Sequence, residues 1–284
     1  MKNAFDVINF HLTESCNYAC TYCFAKFNNL KELGLPDWMN LVDKVHNYFL
    51  ENDIHDGRIN LAGGEPLLLS YLEDLIDYIH SKEIKVSIIS NGSLLTKSRI
   101  DAWTGKVDTL GISIDSIRND TNLIIGRHFN RKTLDLNHLV NLLHYAKSKH
   151  MKVKINTVVS KLNLDENLNQ LYDQFHFDRV KLLQVRINRN CNEFSIKHSI
   201  TSEEFVDYCS KINDYDTLVI EPEQDIECAY IVIDPQGYLV TNKNQNHQKV
   251  GHLKDASLSL LIEAAGINYE TFSKRYKDKE LKTI

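Results

Sequence analysis

The residues most able to do chemistry stand together near the start of the chain, in the segment Cys16-Asn17-Tyr18-Ala19-Cys20-Thr21-Tyr22-Cys23. Three thiols on one short loop can converge on a soft metal centre, because thiolates suit iron–sulfur clusters and zinc. A structural zinc site wants a fourth ligand. His11 is the nearest histidine but falls on the preceding predicted strand, and His128 is far along the chain. A site of three thiolates leaves one coordination position open; in a four-iron cluster, one iron is then free to bind a small molecule. The plainer readings are a zinc knob or three core cysteines. Cys191, Cys209 and Cys228 are widely spaced and form no CxxC pair, so no second cluster is expected. Cys209 fits the core face of a helix, and Cys228 reads as buried.

The elements that must position this loop alternate strand and helix. Residues 7–12 alternate as a strand does, and the cysteine loop follows. Asp37 can cap a helix running to about residue 51, with Leu41, Val42, Val45 and Phe49 at helical spacing. A short strand at 58–62 closes in Gly63-Gly64-Glu65-Pro66. Helix 72–79, strand 85–90, an Asn91-Gly92 turn, helix 96–103 and strand 109–114 come next. Helix 135–149 carries Leu136, Leu139, Val140, Leu143 and Ala146 on one face; strand 152–159, helix 164–175 and strand 179–185 complete about six units. Alternation of this kind favours a parallel sheet with helices outside. A closed eight-unit barrel takes about 250 residues, and the units stop near residue 185, so the expected fold is α/β, a partial (βα)6 barrel. Residues 1–185 are its core. Residues 186–284 change character, with helix 202–212, two strands at 230–233 and 238–241 joined by Asp234-Pro235-Gln236-Gly237, and helix 253–265. No Ser/Gly linker or internal repeat separates them, so they read as a C-terminal cap extension packed on the barrel.

Composition bounds the function. The chain has 284 residues, 43% hydrophobic and 25% charged, with only 11 Gly and 4 Pro, which is an ordinary globular balance. A net charge of −5 argues against a nucleic-acid coat protein but leaves room for a small basic pocket. No long apolar run exists to span a membrane, and residues 1–10 lack a signal peptide's basic start. The reading is cytoplasmic, where thiols stay reduced.

Cys16, Cys20 and Cys23, with the aromatic Tyr22, match the CxxxCxΦC signature of radical S-adenosylmethionine (SAM) enzymes, and Gly63-Gly64-Glu65-Pro66 matches their GGEP motif. More narrowly, Asn9…His11…Cys16-Asn17-Tyr18…Cys23-Phe24, Ile59-Asn60-Leu61-Ala62, Ser87-Ile88-Ile89-Ser90-Asn91-Gly92, Ile112-Ser113-Ile114-Asp115-Ser116, Asn122…Gly126-Arg127, Lys154-Ile155-Asn156-Thr157 and Tyr230-Ile231-Val232-Ile233-Asp234 resemble the viperin family. The resemblance runs from about residue 6 to about residue 275. The amphipathic helix that tethers animal members to membranes is missing, so the chain resembles the soluble, prokaryotic-type members.

The resemblance implies a 4Fe-4S cluster on Cys16, Cys20 and Cys23, with SAM on the open iron, cleaved by one electron to methionine and a 5′-deoxyadenosyl radical. Gly63 and Gly64 would let backbone approach the cofactor, and Glu65 would receive its amino group. Ser90, Ser113, Asn156 and Tyr22 are further cofactor candidates. The blander alternatives are a turn for Gly63-Gly64 and a satisfied core amide for Asn156. The second substrate implied is a ribonucleoside triphosphate (CTP, UTP or GTP), whose charge needs several cations. By motif position these are Arg58, Arg127, Lys154, Arg179 and Lys181, with Asn9 as a donor. Residues 152, 154 and 156 share one strand face, so Lys154 faces inward if Asn156 does; Lys181 and Arg179 share a face likewise. Arg58 stands where animal members carry lysine. The reaction implied is removal of H4′ by the radical and loss of the 3′-hydroxyl as water, with Tyr230 as donor in the last step. The product, a 3′-deoxy-3′,4′-didehydro nucleotide, terminates RNA chains, and antiviral defence is the implied role. A reductant such as flavodoxin or ferredoxin and a monomeric state are expected, with no direct nucleic acid and no membrane. The polar segment 185–193 departs from the animal pattern and leaves the base open. Two alternatives remain: another radical SAM enzyme on a nucleotide, such as a GTP cyclase, though the chain ends Leu281-Lys282-Thr283-Ile284 and lacks a terminal Gly-Gly; and a non-catalytic iron–sulfur nucleotide sensor.

Overall fold

The computed structural model describes residues 5–25, 31–213 and 216–276; residues 1–4 and 281–284, used above for the chain ends, lie outside them. The elements in chain order are β1 (Val7–His11), α1 (Leu35–Glu51), β2 (Arg58–Ala62), α2 (Leu72–Ser81), β3 (Lys85–Ser90), α3 (Lys97–Trp103), β4 (Thr109–Ser113), α4 (Asn119–Ile125), α5 (Leu136–Ser148), β5 (Lys152–Val159), α6 (Asn169–Gln174), β6 (Arg179–Gln184), α7 (Ser202–Ser210), β7 (Leu218–Glu221), α8 (Glu223–Ile226), β8 (Val232–Ile233), β9 (Tyr238–Thr241), β10 (Gln248–His252), α9 (Leu258–Ala265) and α10 (Tyr269–Tyr276).

Among the described residues the strands form one ten-stranded sheet in the order β10-β9-β8-β1-β2-β3-β4-β5-β6-β7. The strands from β1 to β7 run parallel, and β8 lies parallel to the free edge of β1. The sheet does not close, as a partial barrel requires. It is wider than the six strands expected, because β7 adds a parallel strand beside β6 and β8 to β10 add three beyond β1. The four-residue β7 run, ended by Pro222, was too short to stand out in the sequence. The 234–237 turn is as expected: Asp234 Oδ1 accepts from the Gln236 and Tyr238 amides, both at 2.9 Å.

The strands alternate because one side meets helices and the other a concave interior. On β5, Val153, Ile155, Thr157 and Val159 are buried under the helices, whereas Lys154, Asn156 and Val158 are half-buried inside. On β6, Val180, Leu182 and Gln184 alternate with Arg179, Lys181 and Leu183. Leu139, Leu143 and Ala146 of α5 complete the outer core against β5. Each valine, leucine or isoleucine fully buried in this way stabilises the fold by about 1.5–3 kcal/mol.

Several boundaries moved for local reasons. Asp37 does not cap α1; Gly34 does, without a side-chain bond, and Asp37 pairs with Lys254 at 2.8 Å. Thr96 and Asp135 are the caps of α3 and α5, one residue before each helix. Helix α6 starts five residues later than expected, because Asn163 and Glu166 are drawn into polar contacts that shape a loop. Asn163 Nδ2 donates to the Asp115 and Val158 carbonyls at 2.7 and 2.9 Å, and Glu166 accepts from Ser116 and Thr121. Helix α9 begins at Leu258, with Ser257 as its cap. Cys209 is buried in α7 as expected, but Cys228 is only half-buried, with Sγ 3.3 Å from Thr241 Oγ1.

Candidate functional site

The cysteine loop leaves β1 at the carboxyl end of the sheet, where loops of α/β barrels carry chemistry. Its shape is set by backbone bonds to the C-terminal end of α4 and to the glycine turn after β2. The Ala19 and Thr21 amides donate to the Gly126 and Ile125 carbonyls at 3.1 and 2.8 Å, and the Gly64 and Glu65 amides donate back to Thr13 and Ser15 at 2.6 and 2.9 Å. From the C-terminal side, Asn192 Nδ2 donates to the Tyr22 carbonyl at 3.0 Å and the Ser195 hydroxyl to that of Thr21.

The glycines serve this packing. Gly63 has φ +124°, and a Cβ there would fall 2.6 Å from the Thr13 oxygen; one at Gly64 would fall 2.7 Å from the Ser15 carbonyl carbon. What approaches these glycines is the cysteine loop itself.

Cys16 is exposed, and Cys20 and Cys23 are half-buried. Among the described residues, no three His, Cys, Asp or Glu side chains stand close enough to hold a single ion, as structural zinc would need. In a 4Fe-4S cluster each thiolate goes to its own iron, and three free cysteines on one loop supply three such ligands. Burial pushes the Cys20 thiol up to about 11, against the opposing charge of Arg127. Burial raises Cys16 too. A bound cationic centre reverses that preference and deprotonates its thiols.

The remaining cofactor candidates divide. Glu65 is buried, and its carboxylate accepts from Ser90 Oγ at 2.8 Å, the Asn91 amide at 2.8 Å and the Leu67 amide at 3.1 Å. Burial raises its carboxyl above the ordinary value while these donors oppose the rise. Three donors on one carboxylate make Glu65, with Ser90, a brace for the motif loop and leave about one of its four acceptor sites for a further donor. Tyr22 is buried and donates to Asp115 Oδ2 at 2.5 Å. Arg127 also pairs with Asp115, and it donates to the Ser113 carbonyl at 3.2 Å. Arg127, expected among the phosphate cations, is thus placed at the cysteine loop instead. The Val158 amide donates to Asp115 as well, at 2.7 Å, so this one carboxylate ties the loop to β5. Tyr18, Asn91, Ser113, Asn122 and Arg127 line a small cleft beside the cysteines. Ser113, Asn156 and Lys181 are register neighbours across β4, β5 and β6.

The other predicted substrate residues gather on the concave face. Asn9 Nδ2 donates to the Ile231 carbonyl at 2.9 Å, and Asn9 Oδ1 accepts from Asn60 Nδ2 at 2.8 Å. Lys154 Nζ reaches Ser87 Oγ at 3.3 Å. Burial, then the charges of Arg58, Lys181 and Arg179, hold Lys154 well below the ordinary lysine value. Lys181 Nζ lies 2.6 Å from Glu221 Oε1 and 3.2 Å from the Tyr230 hydroxyl. Tyr230 donates to Glu221 Oε2 at 2.5 Å. Two members of this cluster were missed in the sequence. Arg275 donates to Glu221 Oε2 at 2.8 Å, and its guanidinium lies 4.3 Å from the Tyr230 ring centroid; its carbonyl accepts from Arg179. Burial pushes the Glu221 carboxyl up, but Lys181 and Arg275 outweigh it and leave the group below the ordinary value. Neither residue had a local signal: Glu221 ends a short apolar run, and no element was expected beyond residue 265, where Arg275 lies.

Beyond the cysteine loop, the concave face carries a floor of cations: Arg58, Arg179 and Lys181 gather about Lys154, and Lys181 and Arg275 share the Glu221 carboxylate. Such a floor suits a small polyanion.

Comparison with known proteins agrees. The model of the Radical SAM superfamily matches residues 10–175. The chain is 31% identical over 282 residues to the S-adenosylmethionine-dependent nucleotide dehydratase of Flammeovirga pacifica, covering 96% of this chain and 95% of that one. It is 30% identical to the protein of the same name from Selenomonas ruminantium, covering 95% and 98%. Among solved structures, native anSMEcpe with bound AdoMet and Cp18Cys peptide shares the fold at a TM-score of 0.67 and 13% identity, over 94% of this chain and 83% of that one. Among the described residues no helix is long and apolar enough to cross a membrane.

Proposed function

We infer the function of this chain from its membership: it belongs to the radical SAM superfamily and, within it, to the family of S-adenosylmethionine-dependent nucleotide dehydratases. The reading is a radical SAM dehydratase that converts a ribonucleoside triphosphate to its 3′-deoxy-3′,4′-didehydro analogue. The observation that carries the triphosphate is the five-cation floor in a chain whose net charge is −5.

Cys16, Cys20 and Cys23 would hold the 4Fe-4S cluster, which would supply the one-electron chemistry that makes the 5′-deoxyadenosyl radical from SAM. Ser113 and Asn156 line the way from the cysteines to the floor and offer hydrogen bonds to SAM. Lys154, Lys181, Arg179 and Arg58 take the phosphates, and Asn9 adds an amide. Tyr230 stands beside Lys181 and would supply the last electron and proton, the electron going to the nucleotide after loss of the 3′-hydroxyl and the proton to the departing water, with the phenol restored by the external one-electron carrier. Arg127 and Tyr22 act through Asp115 to hold the cysteine loop. The chain divides into a barrel core over residues 1–185 and a C-terminal extension over residues 186–284 that brings Tyr230 and Arg275 to the floor. The enzyme works as a cytoplasmic monomer with a small one-electron carrier such as flavodoxin or ferredoxin, and its product serves antiviral defence as an RNA chain terminator.

The test is anaerobic reconstitution with iron and sulfide, then incubation with SAM, dithionite and each of ATP, CTP, GTP and UTP. The expected result is 5′-deoxyadenosine together with a nucleotide lighter by one water, for one of CTP, UTP or GTP. Background 5′-deoxyadenosine with all four, on protein carrying an intact cluster, overturns the triphosphate reading.

A further inference from the structure

We propose that Glu221 is a resident counter-anion of the triphosphate floor, a positioning residue that assembles Lys181, Arg275 and Tyr230 before the nucleotide arrives and opposes the triphosphate once it is bound. The proposal rests on the nucleotide reading above. Its basis is the convergence of three donors from three separate elements on one buried carboxylate. Lys181 comes from β6 at 2.6 Å, Arg275 from α10 at 2.8 Å, and the Tyr230 hydroxyl from just before β8 at 2.5 Å. Glu221 and Arg275 are only 2% and 3% exposed.

The charges explain why a carboxylate belongs in a site for an anion. Lys181 and Arg275 stand close to Lys154, Arg179 and Arg58, and like charges so placed repel one another where water is scarce. One carboxylate lets two of them sit close while the site is empty. It also fixes Tyr230: the phenol donates to Glu221, and its ring is flanked by the Lys181 ammonium at 5.6 Å and the Arg275 guanidinium at 4.3 Å. Once a triphosphate replaces the carboxylate as counter-charge, the same Glu221 is a like charge beside the phosphates. Removing its charge alone should therefore tighten nucleotide binding and loosen the tyrosine, two effects of opposite benefit.

The experiment uses the reconstituted full chain with Glu221→Gln and Glu221→Asp. Equilibrium binding is measured with SAM present and no reductant, using the triphosphate turned over by the wild type and its monophosphate. Glu221→Gln is expected to bind the triphosphate about tenfold more tightly, and the monophosphate with a smaller gain, as charge repulsion scales with ligand charge. Under turnover it should form severalfold more 5′-deoxyadenosine per didehydro product, because Tyr230 has lost its anchor. Glu221→Asp keeps the charge but withdraws it from the phenol; its binding should stay within about twofold of wild type while its uncoupling rises. Weaker or unchanged triphosphate binding in Glu221→Gln with wild-type coupling overturns the proposal. So does wild-type coupling in Glu221→Asp, which decides the matter alone if the Gln variant does not fold. A wild type that binds no triphosphate fails in the control arm and overturns the nucleotide reading itself.

Discussion

Gly111 lies on the concave face of β4, in register with Lys154 of β5. A glycine inside a strand weakens it by about 0.5–1 kcal/mol relative to alanine, and such positions mark close approach. Here the approaching group is the lysine stem: a Cβ at position 111 would fall 2.5 Å from Lys154 Cε and 3.1 Å from Cγ. Carbon atoms rest at about 3.5–4.0 Å, so Gly111→Ala must push the end of Lys154 by about 1 Å. The backbone is less affected, with the Ile88 oxygen at 3.2 Å. An ammonium moved from about 3 to about 4 Å from a phosphate charge loses about 1.4 kcal/mol at an effective dielectric of about 20. That is about a tenfold rise in KM for the nucleotide, with kcat within about threefold. The assay is the initial rate of didehydro product and of 5′-deoxyadenosine over a nucleotide titration, run in wild-type and Lys154→Ala backgrounds. If Gly111 acts through Lys154, the alanine has no further effect once the lysine is gone. An equal loss in both backgrounds, or a fall in kcat at constant KM, refutes the reasoning.

Two further outcomes follow from the same geometry. Asp115→Asn leaves the buried Arg127 without its counter-charge and should destabilise the protein by about 3 kcal/mol, seen as a lower Tm together with reduced iron content after reconstitution; unchanged values of both would remove Asp115 from the loop's support. Lys154 titrates below the ordinary lysine value in the empty site, and a bound triphosphate restores its charge. Nucleotide binding should then take up protons as pH rises past the depressed value, and affinity should fall over that range. The unfolded chain keeps this proton up to about 10.5, so stability of the empty protein should rise with pH between the two values. Calorimetry in buffers of different ionisation enthalpy reads the uptake, and Lys154→Met should abolish it.

The sequence by itself determined whatever depends on short spacing. Cys16, Cys20 and Cys23 share one loop whatever the rest of the chain does, and the glycine-rich turn after β2 announces a close backbone approach. Period-two alternation alone places Lys154 with Asn156, and Arg179 with Lys181, on one face. Strand and helix order followed from apolar periodicity, with errors where a side chain captured the backbone, as Asn163 does ahead of α6. The tertiary structure decided what depends on encounters between distant segments. It put Arg127 on Asp115, apart from the cations around Lys154, turned Glu65 onto the Ser90-Asn91 end of β3, and widened the sheet by β7 to β10. It also carried Arg275 and Glu221, 54 residues apart, into one ion pair at 2.8 Å. A charge in a helix of mixed polarity carries no local mark of burial, because its environment is made by elements that pack only after the sheet has formed.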